Sequence, residues 1–215
     1  RLTAELAAAK ASADKATAEI ARAQRVAALK SAEDTSATKE PVALVGMSCR
    51  FPGSPDMEAF WDVLMTRTDT ISDVPKVRWD NNEYYDANME ADGKIYIQQA
   101  GFVEDIDLFD AEFFGISPRE AAILDPQQRL LLELSWEAME HAGIPPSAFA
   151  GTNSAVYVGI SSLDYGTLTL DDLAGMTQHS MVGNALSMAA NRLSYFYDLR
   201  GPSVAIDTAC SSSLV

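Results

Sequence analysis

Cys210 is the residue of this chain best placed to do chemistry. It follows the small and β-branched run Ser203-Val204-Ala205-Ile206 and precedes three serines, Ser211-Ser212-Ser213. This pattern predicts a strand that turns sharply into a helix, with the thiol at the helix N-terminus. Exposed backbone N–H groups and the helix dipole favour an anion there. A thiol so placed loses its proton more readily, and the thiolate is the nucleophile. The alternative for any free cysteine is a small buried hydrophobe. That alternative is the better reading for Cys49, and the functional one for Cys210. The serines are expected to cap the helix rather than attack.

Other reactive side chains offer less. His141 sits near the end of a predicted helix and His179 in a stretch without clear pattern, and both read as surface or packing histidines. Asp171-Asp172 and Glu104-Asp105-Ile106-Asp107 lack the spacing of a calcium loop and read as solvated acids, so no metal site is expected. Gly46 and Gly53 form no phosphate-binding pattern. Trp61, Trp79 and Trp136 read as packing residues.

The elements needed to position Cys210 are legible upstream. Val42-Ala43-Leu44-Val45 after Pro41 reads as a strand ending at Gly46, followed by a loop over Cys49–Gly53. Apolar residues at 57, 60, 61 and 64 predict a helix over Met57–Thr66. Residues 67–117 read as a long irregular excursion, anchored at its end by the aromatics of Phe109–Ser117. Asp125 with Pro126 starts a helix that runs to about His141, and Gly143 with Pro145-Pro146 stops it. Ala155–Ile160 reads as a buried strand and residues 184–197 as a helix. Gly201-Pro202 then turns the chain into the strand before Cys210. Buried strands alternating with helices imply an α/β domain.

Composition sets the outer bounds. The chain has 215 residues, is 47% hydrophobic and 22% charged, and carries a net charge of −15. So acidic a chain is not built for nucleic acid. It contains no apolar run long enough to cross a bilayer, so no membrane partner is expected. Two cysteines make no disulfide framework, which points to a reducing cytoplasm. A start at Arg1 leads us to expect a piece of a longer chain. Residues 1–30 differ from the rest: six Lys/Arg against three acids give them a net charge of +3. They contain no Gly or Pro, and a seven-residue pattern places Leu2, Ala9, Ala16 and Ala23 on one seam position. Leu6, Ala13, Ile20 and Ala27 occupy the other. This reads as a helix that pairs with another chain, the alternative being a solvated helix or spacer. Residues 31–40 read as a linker and 41–215 as the α/β domain.

The segment Gly201–Val215, with its Asp207-Thr208-Ala209-Cys210-Ser211-Ser212-Ser213, resembles the nucleophile segment of β-ketoacyl synthases, in particular the ketosynthase of modular type I polyketide synthases. Three other blocks agree: Pro41–Gly53, the pair Phe113–Ala121 and Asp125–Leu130, and Ala190–Tyr195. The resemblance implies a thiolase-like fold, a layered αβαβα sandwich of which this chain holds the first half, usually in a homodimer. It implies that Cys210 accepts an acyl chain from an acyl carrier protein. A malonyl-type extender then loses CO2 and attacks the acyl-cysteine in a decarboxylative Claisen condensation. No cofactor is bound directly; substrates ride on the phosphopantetheine of the carrier. Backbone N–H groups, one of them from the nucleophile itself, hold the thioester oxygen.

In that family two histidines of the second half assist decarboxylation, and they would lie beyond Val215, so these residues alone are not expected to condense. Residues 1–30 loosely resemble docking helices that recruit the C-terminal tail of an upstream synthase polypeptide. The competing reading is a docking or assembly fragment, or a non-elongating ketosynthase that binds acyl carrier protein without condensation.

Overall fold

The computed structural model describes residues 41–170 and 176–215. The predicted helix over 1–30, the linker over 31–40 and the pair Asp171-Asp172 lie outside the described residues. Leu44–Val215 form one compact unit, and the account below concerns it.

Helix α1 spans Met57–Thr66, as its apolar spacing predicts; the Asp56 side chain caps it by accepting from the Ala59 N–H at 2.8 Å. The excursion that follows carries only short elements. Strand β1 (Ile71–Asp73) pairs antiparallel with β2 (Gln99–Gly101), and the single-turn helix α2 (Asn81–Tyr84) lies between them. Helix α3 (Pro118–Ala121) leads into α4, Pro126–Ala142, the longest described helix. Both ends of α4 fall where the sequence marks them. Asp125 accepts from the Gln127 N–H at 2.8 Å, and Gly143 takes a left-handed φ of 65° that an L side chain resists. Asp125 is buried, so Asp125→Ala leaves an N-terminal amide without its acceptor. The expected loss is about 0.5–2 kcal/mol, read from urea unfolding; an unchanged midpoint would show that the cap is idle.

Strand β3 (Val156–Gly159) and strand β4 (Ser203–Ile206) pair in parallel, with Val156 opposite Ser203 and Gly159 opposite Ile206. Parallel neighbours need a crossover connection. Here it includes α5 (Asp164–Leu170), α6 (Ser180–Asn184) and α7 (Ser187–Phe196). Leu132 of α4, Val158 and Ile160 at β3, and Ala189, Ala190 and Leu193 of α7 form the core with Phe114 and Tyr197. Alanines on α7 let that helix approach the sheet closely. The aromatic anchor works as expected: Phe114 stacks on Phe109 at 5.4 Å, and Phe113 meets Trp136 edge-on at 4.7 Å.

Four expectations need correction. Val42–Val45 form no strand; Leu44 and Val45 are 88% and 63% exposed. A strand exists only through a ladder partner, and none of the described strands pairs with this segment. The chain just after it is tied to α4 instead. The Met47 N–H donates to His141 Nδ1 at 3.2 Å, Ser48 Oγ donates to the Leu134 carbonyl at 2.6 Å, and Arg50 forms a forked ion pair with Glu137. The helix expected over 184–197 forms as α7 but starts only at Ser187, because Ala185, with a ψ of 127°, leaves the helical region and separates α6 from α7. The apolar run of β3 is buried on one face only: Val158 is covered by the helices, while Tyr157 is 63% exposed. Trp61 is likewise exposed, so the packing reading holds for Trp136 but not for it.

Candidate active site at Cys210

The carboxyl ends of β3 and β4 lie side by side, the usual place for a site in a parallel sheet. Gly159, Ile160, Ser161 and Ser162 leave β3 there. Ala209, Cys210, Ser212 and Ser213 leave β4, and Gln127 reaches in from the first turn of α4. Together they line a shallow, open concavity of about 240 Å³ with Cys210 on its wall. Gln127 Nε2 donates to the Ser162 carbonyl at 3.0 Å, which braces the α4 side against the β3 side.

Cys210 is exposed and sits on a tight elbow. Ala209, immediately before it, has a φ of 54°. The left-handed region costs a non-glycine residue roughly 1–2 kcal/mol, so the surroundings must hold it. They do so locally. Asp207 Oδ1 accepts from the Ala209 N–H at 3.0 Å, and Thr208 Oγ1 lies 2.9 Å from Ser211 Oγ. Ser212 Oγ accepts from the Thr208 N–H at 2.9 Å and donates to the Ala209 carbonyl at 2.6 Å.

The elbow is followed by a 3-10 turn, Ser212–Leu214, rather than the α-helix expected from the sequence. Ser211 and Ser212 brace the elbow through their hydroxyls, and no serine side chain caps the turn.

The other cysteine is unlike this one. Cys49 is partly buried, and burial, followed by the carboxylate of Asp56, pushes its thiol above the ordinary range despite Arg50 alongside. It is therefore disfavoured as a thiolate. Neither histidine lines the concavity at Cys210. His141 accepts from Met47, and His179 stands 3.9 Å from Glu120, whose other oxygen takes Arg192 at 2.8 Å. Among the described residues no three of His, Cys, Asp and Glu converge as metal ligands.

The sequence singles out Cys210 and the serines after it, but not Gln127, Ala209 or the end of β3. Gly159 is the clearest omission. A Cβ built there would lie 2.9 Å from the backbone of Ser212 and of Ser213, so only glycine lets the elbow settle against β3. The signal was available: a glycine at the end of a buried strand marks a close backbone approach.

Residues 39–215 match the β-ketoacyl synthase N-terminal domain family, and the chain belongs to it. Relatives of the chain include polyketide synthase proteins. The chain is 50% identical over 177 residues to one of the phenolphthiocerol/phthiocerol polyketide synthase proteins of Mycobacterium tuberculosis, covering 82% of this chain and 10% of that protein. It is 51% identical over 180 residues to another protein of the same synthase and organism, covering 83% and 12%. The chain thus spans about a tenth of the length of these relatives. Among solved structures it resembles an oxazolomycin ketosynthase domain of Streptomyces albus with a TM-score of 0.74 at 36% identity, covering 80% of this chain and 30% of that one. It also resembles the ketosynthase of module 6 of the bacillaene synthase of Bacillus subtilis, with a TM-score of 0.68 at 38% identity, covering 80% and 27%. The fold is the first part of a thiolase-like ketosynthase domain.

Proposed function

We propose that this chain is the nucleophile-bearing part of a polyketide ketosynthase and that Cys210 takes up the acyl chain. The observation that carries the proposal is an exposed cysteine on a strained elbow, on the wall of a concavity at the carboxyl ends of two parallel strands, in a chain of this family. The Cys210 thiolate attacks the carbonyl carbon of an acyl thioester. The new S–C bond forms as the carbon–sulfur bond to the donor breaks, and the departing thiol takes the proton. In the parent protein a malonyl-type extender then loses CO2, and its carbanion displaces Cys210 from the acyl carbon to give a β-ketoacyl thioester.

Both substrates would be presented on the phosphopantetheine of acyl carrier proteins, with no cofactor bound by this chain. The parent would work as a homodimer in the cytoplasm. No described helix is long and apolar enough to cross a membrane.

Transfer is tested by incubating the protein with an acyl N-acetylcysteamine thioester and following the released small thiol by chromatography. One equivalent released per chain supports the proposal. Release no faster than in buffer contradicts it.

We assign residues 1–30 as a docking helix for the acidic C-terminal tail of an upstream synthase polypeptide, on the basis of their +3 charge and heptad spacing. Deleting them is expected to weaken binding of such a tail at least about tenfold at low salt, and less as salt screens the attraction. Titration calorimetry reads the change; unchanged affinity would reduce the segment to a spacer.

A further inference from the structure

Ser212 stands out among the three serines. It is buried, 8% exposed, and its hydroxyl is used twice, as acceptor for the Thr208 N–H and as donor to the Ala209 carbonyl. A hydroxyl so occupied is no nucleophile. Ser211 is exposed, and its hydroxyl reaches the Thr208 carbonyl at 2.8 Å and Thr208 Oγ1 at 2.9 Å rather than the Ala209–Cys210 peptide, so it does not repeat this arrangement.

The Ala209 carbonyl has a particular consequence. It shares one planar peptide with the Cys210 N–H, and the two point in opposite directions. Whatever fixes the carbonyl also fixes the amide. The Ala209 carbonyl accepts twice, from the Ser212 N–H at 3.1 Å and from Ser212 Oγ at 2.6 Å. Without the hydroxyl the carbonyl keeps only the Ser212 N–H, and the peptide is freer to turn about the bonds on either side of it. We infer that Ser212 is a positioning residue: its hydroxyl fixes the Ala209–Cys210 peptide so that the Cys210 N–H faces the oxygen of the acyl group arriving on the Cys210 sulfur.

This inference rests on the proposed acylation of Cys210. It separates two reactions of one thiol. Acyl transfer builds negative charge on an oxygen and depends on the amide that receives it. Alkylation by iodoacetamide displaces iodide and builds no such oxyanion at that amide.

The test compares the two on the full chain, using an acyl N-acetylcysteamine thioester and iodoacetamide. Both adducts are assigned to Cys210 by peptide mapping. In Ser212→Ala, acylation is expected to slow by about tenfold to a hundredfold, with alkylation changed by no more than about twofold. The pair Ser212→Thr and Ser212→Val, alike in shape but not in hydroxyl, keeps the test sound if alanine unsettles the fold. Threonine is expected to restore acylation, and valine to behave like alanine. Acylation at the wild-type rate in Ser212→Ala, an equal fall in both reactions, or valine as good as threonine would overturn the inference. A wild-type chain that alkylates but takes no acyl group would overturn the acylation proposal and this inference with it. Wild-type acylation matched by Ser212→Ala would overturn this inference alone.

Discussion

Cys210→Ala is expected to abolish acyl transfer from a thioester, with no adduct above the level of the uncatalysed reaction, while Cys49→Ala acylates like the wild type. The contrast follows from the surroundings of the two thiols. Cys49 is partly buried beside the carboxylate of Asp56, and both disfavour its thiolate. Cys210 is exposed on the wall of the concavity, on an elbow that presents its side chain outward. Since acyl transfer replaces one sulfur by another on the same carbon, removing the accepting sulfur leaves no partial route. Ser211 and Ser213 do not substitute: among the described residues lining the concavity there is no imidazole or carboxylate to take a hydroxyl proton. Intact-mass measurement of each variant after exposure to the thioester checks this. An adduct that persists in Cys210→Ala, or one lost in Cys49→Ala, would move the nucleophile elsewhere.

Gly159→Val is expected to lower acyl transfer by about a hundredfold without removing any reactive group. A Cβ at 159 would lie 2.9 Å from the Ser212 carbonyl carbon and the Ser213 amide nitrogen, and 3.1 Å from the Ser212 oxygen. These are backbone atoms and cannot rotate away. The turn after Cys210 must therefore lift off β3 and carry Ser212 with it. That shift would loosen the clamp on Ala209 and misdirect the Cys210 thiol relative to the concavity. Rates of acyl transfer, measured alongside the urea midpoint, separate this effect from simple unfolding. A Gly159→Val chain that folds and acylates normally would show that the elbow does not depend on its contact with β3.

Much of the scaffold is legible in the sequence because its signals are local. Asp125-Pro126 and Gly143 bound α4 through capping chemistry that involves only neighbours in the chain. The spacing at 57, 60, 61 and 64 sets α1 in the same way. What depends on partners distant in sequence is not legible. Val42–Val45 have the composition of a strand, but composition does not supply a ladder partner, and the chain just after them binds α4 through Ser48 and Arg50. Ala185 fits the apolar period of α7, yet its backbone leaves the helical region and delays the helix to Ser187.

The site divides along the same line. Cys210 is visible from its place after a β-branched run and from the four blocks shared with ketosynthases. The left-handed Ala209, the double use of the Ser212 hydroxyl and the gap at Gly159 are properties of backbone geometry. Gln127 reaches the site only because α4 starts beside the end of β3, which no local pattern announces.

Whether Cys210 accepts the acyl group is decided by peptide mapping by mass spectrometry after the wild-type protein meets an acyl carrier protein thioester. One acyl group per chain, carried on the peptide that contains Cys210, is the predicted result. An adduct on Cys49, on a serine or on no residue would contradict it.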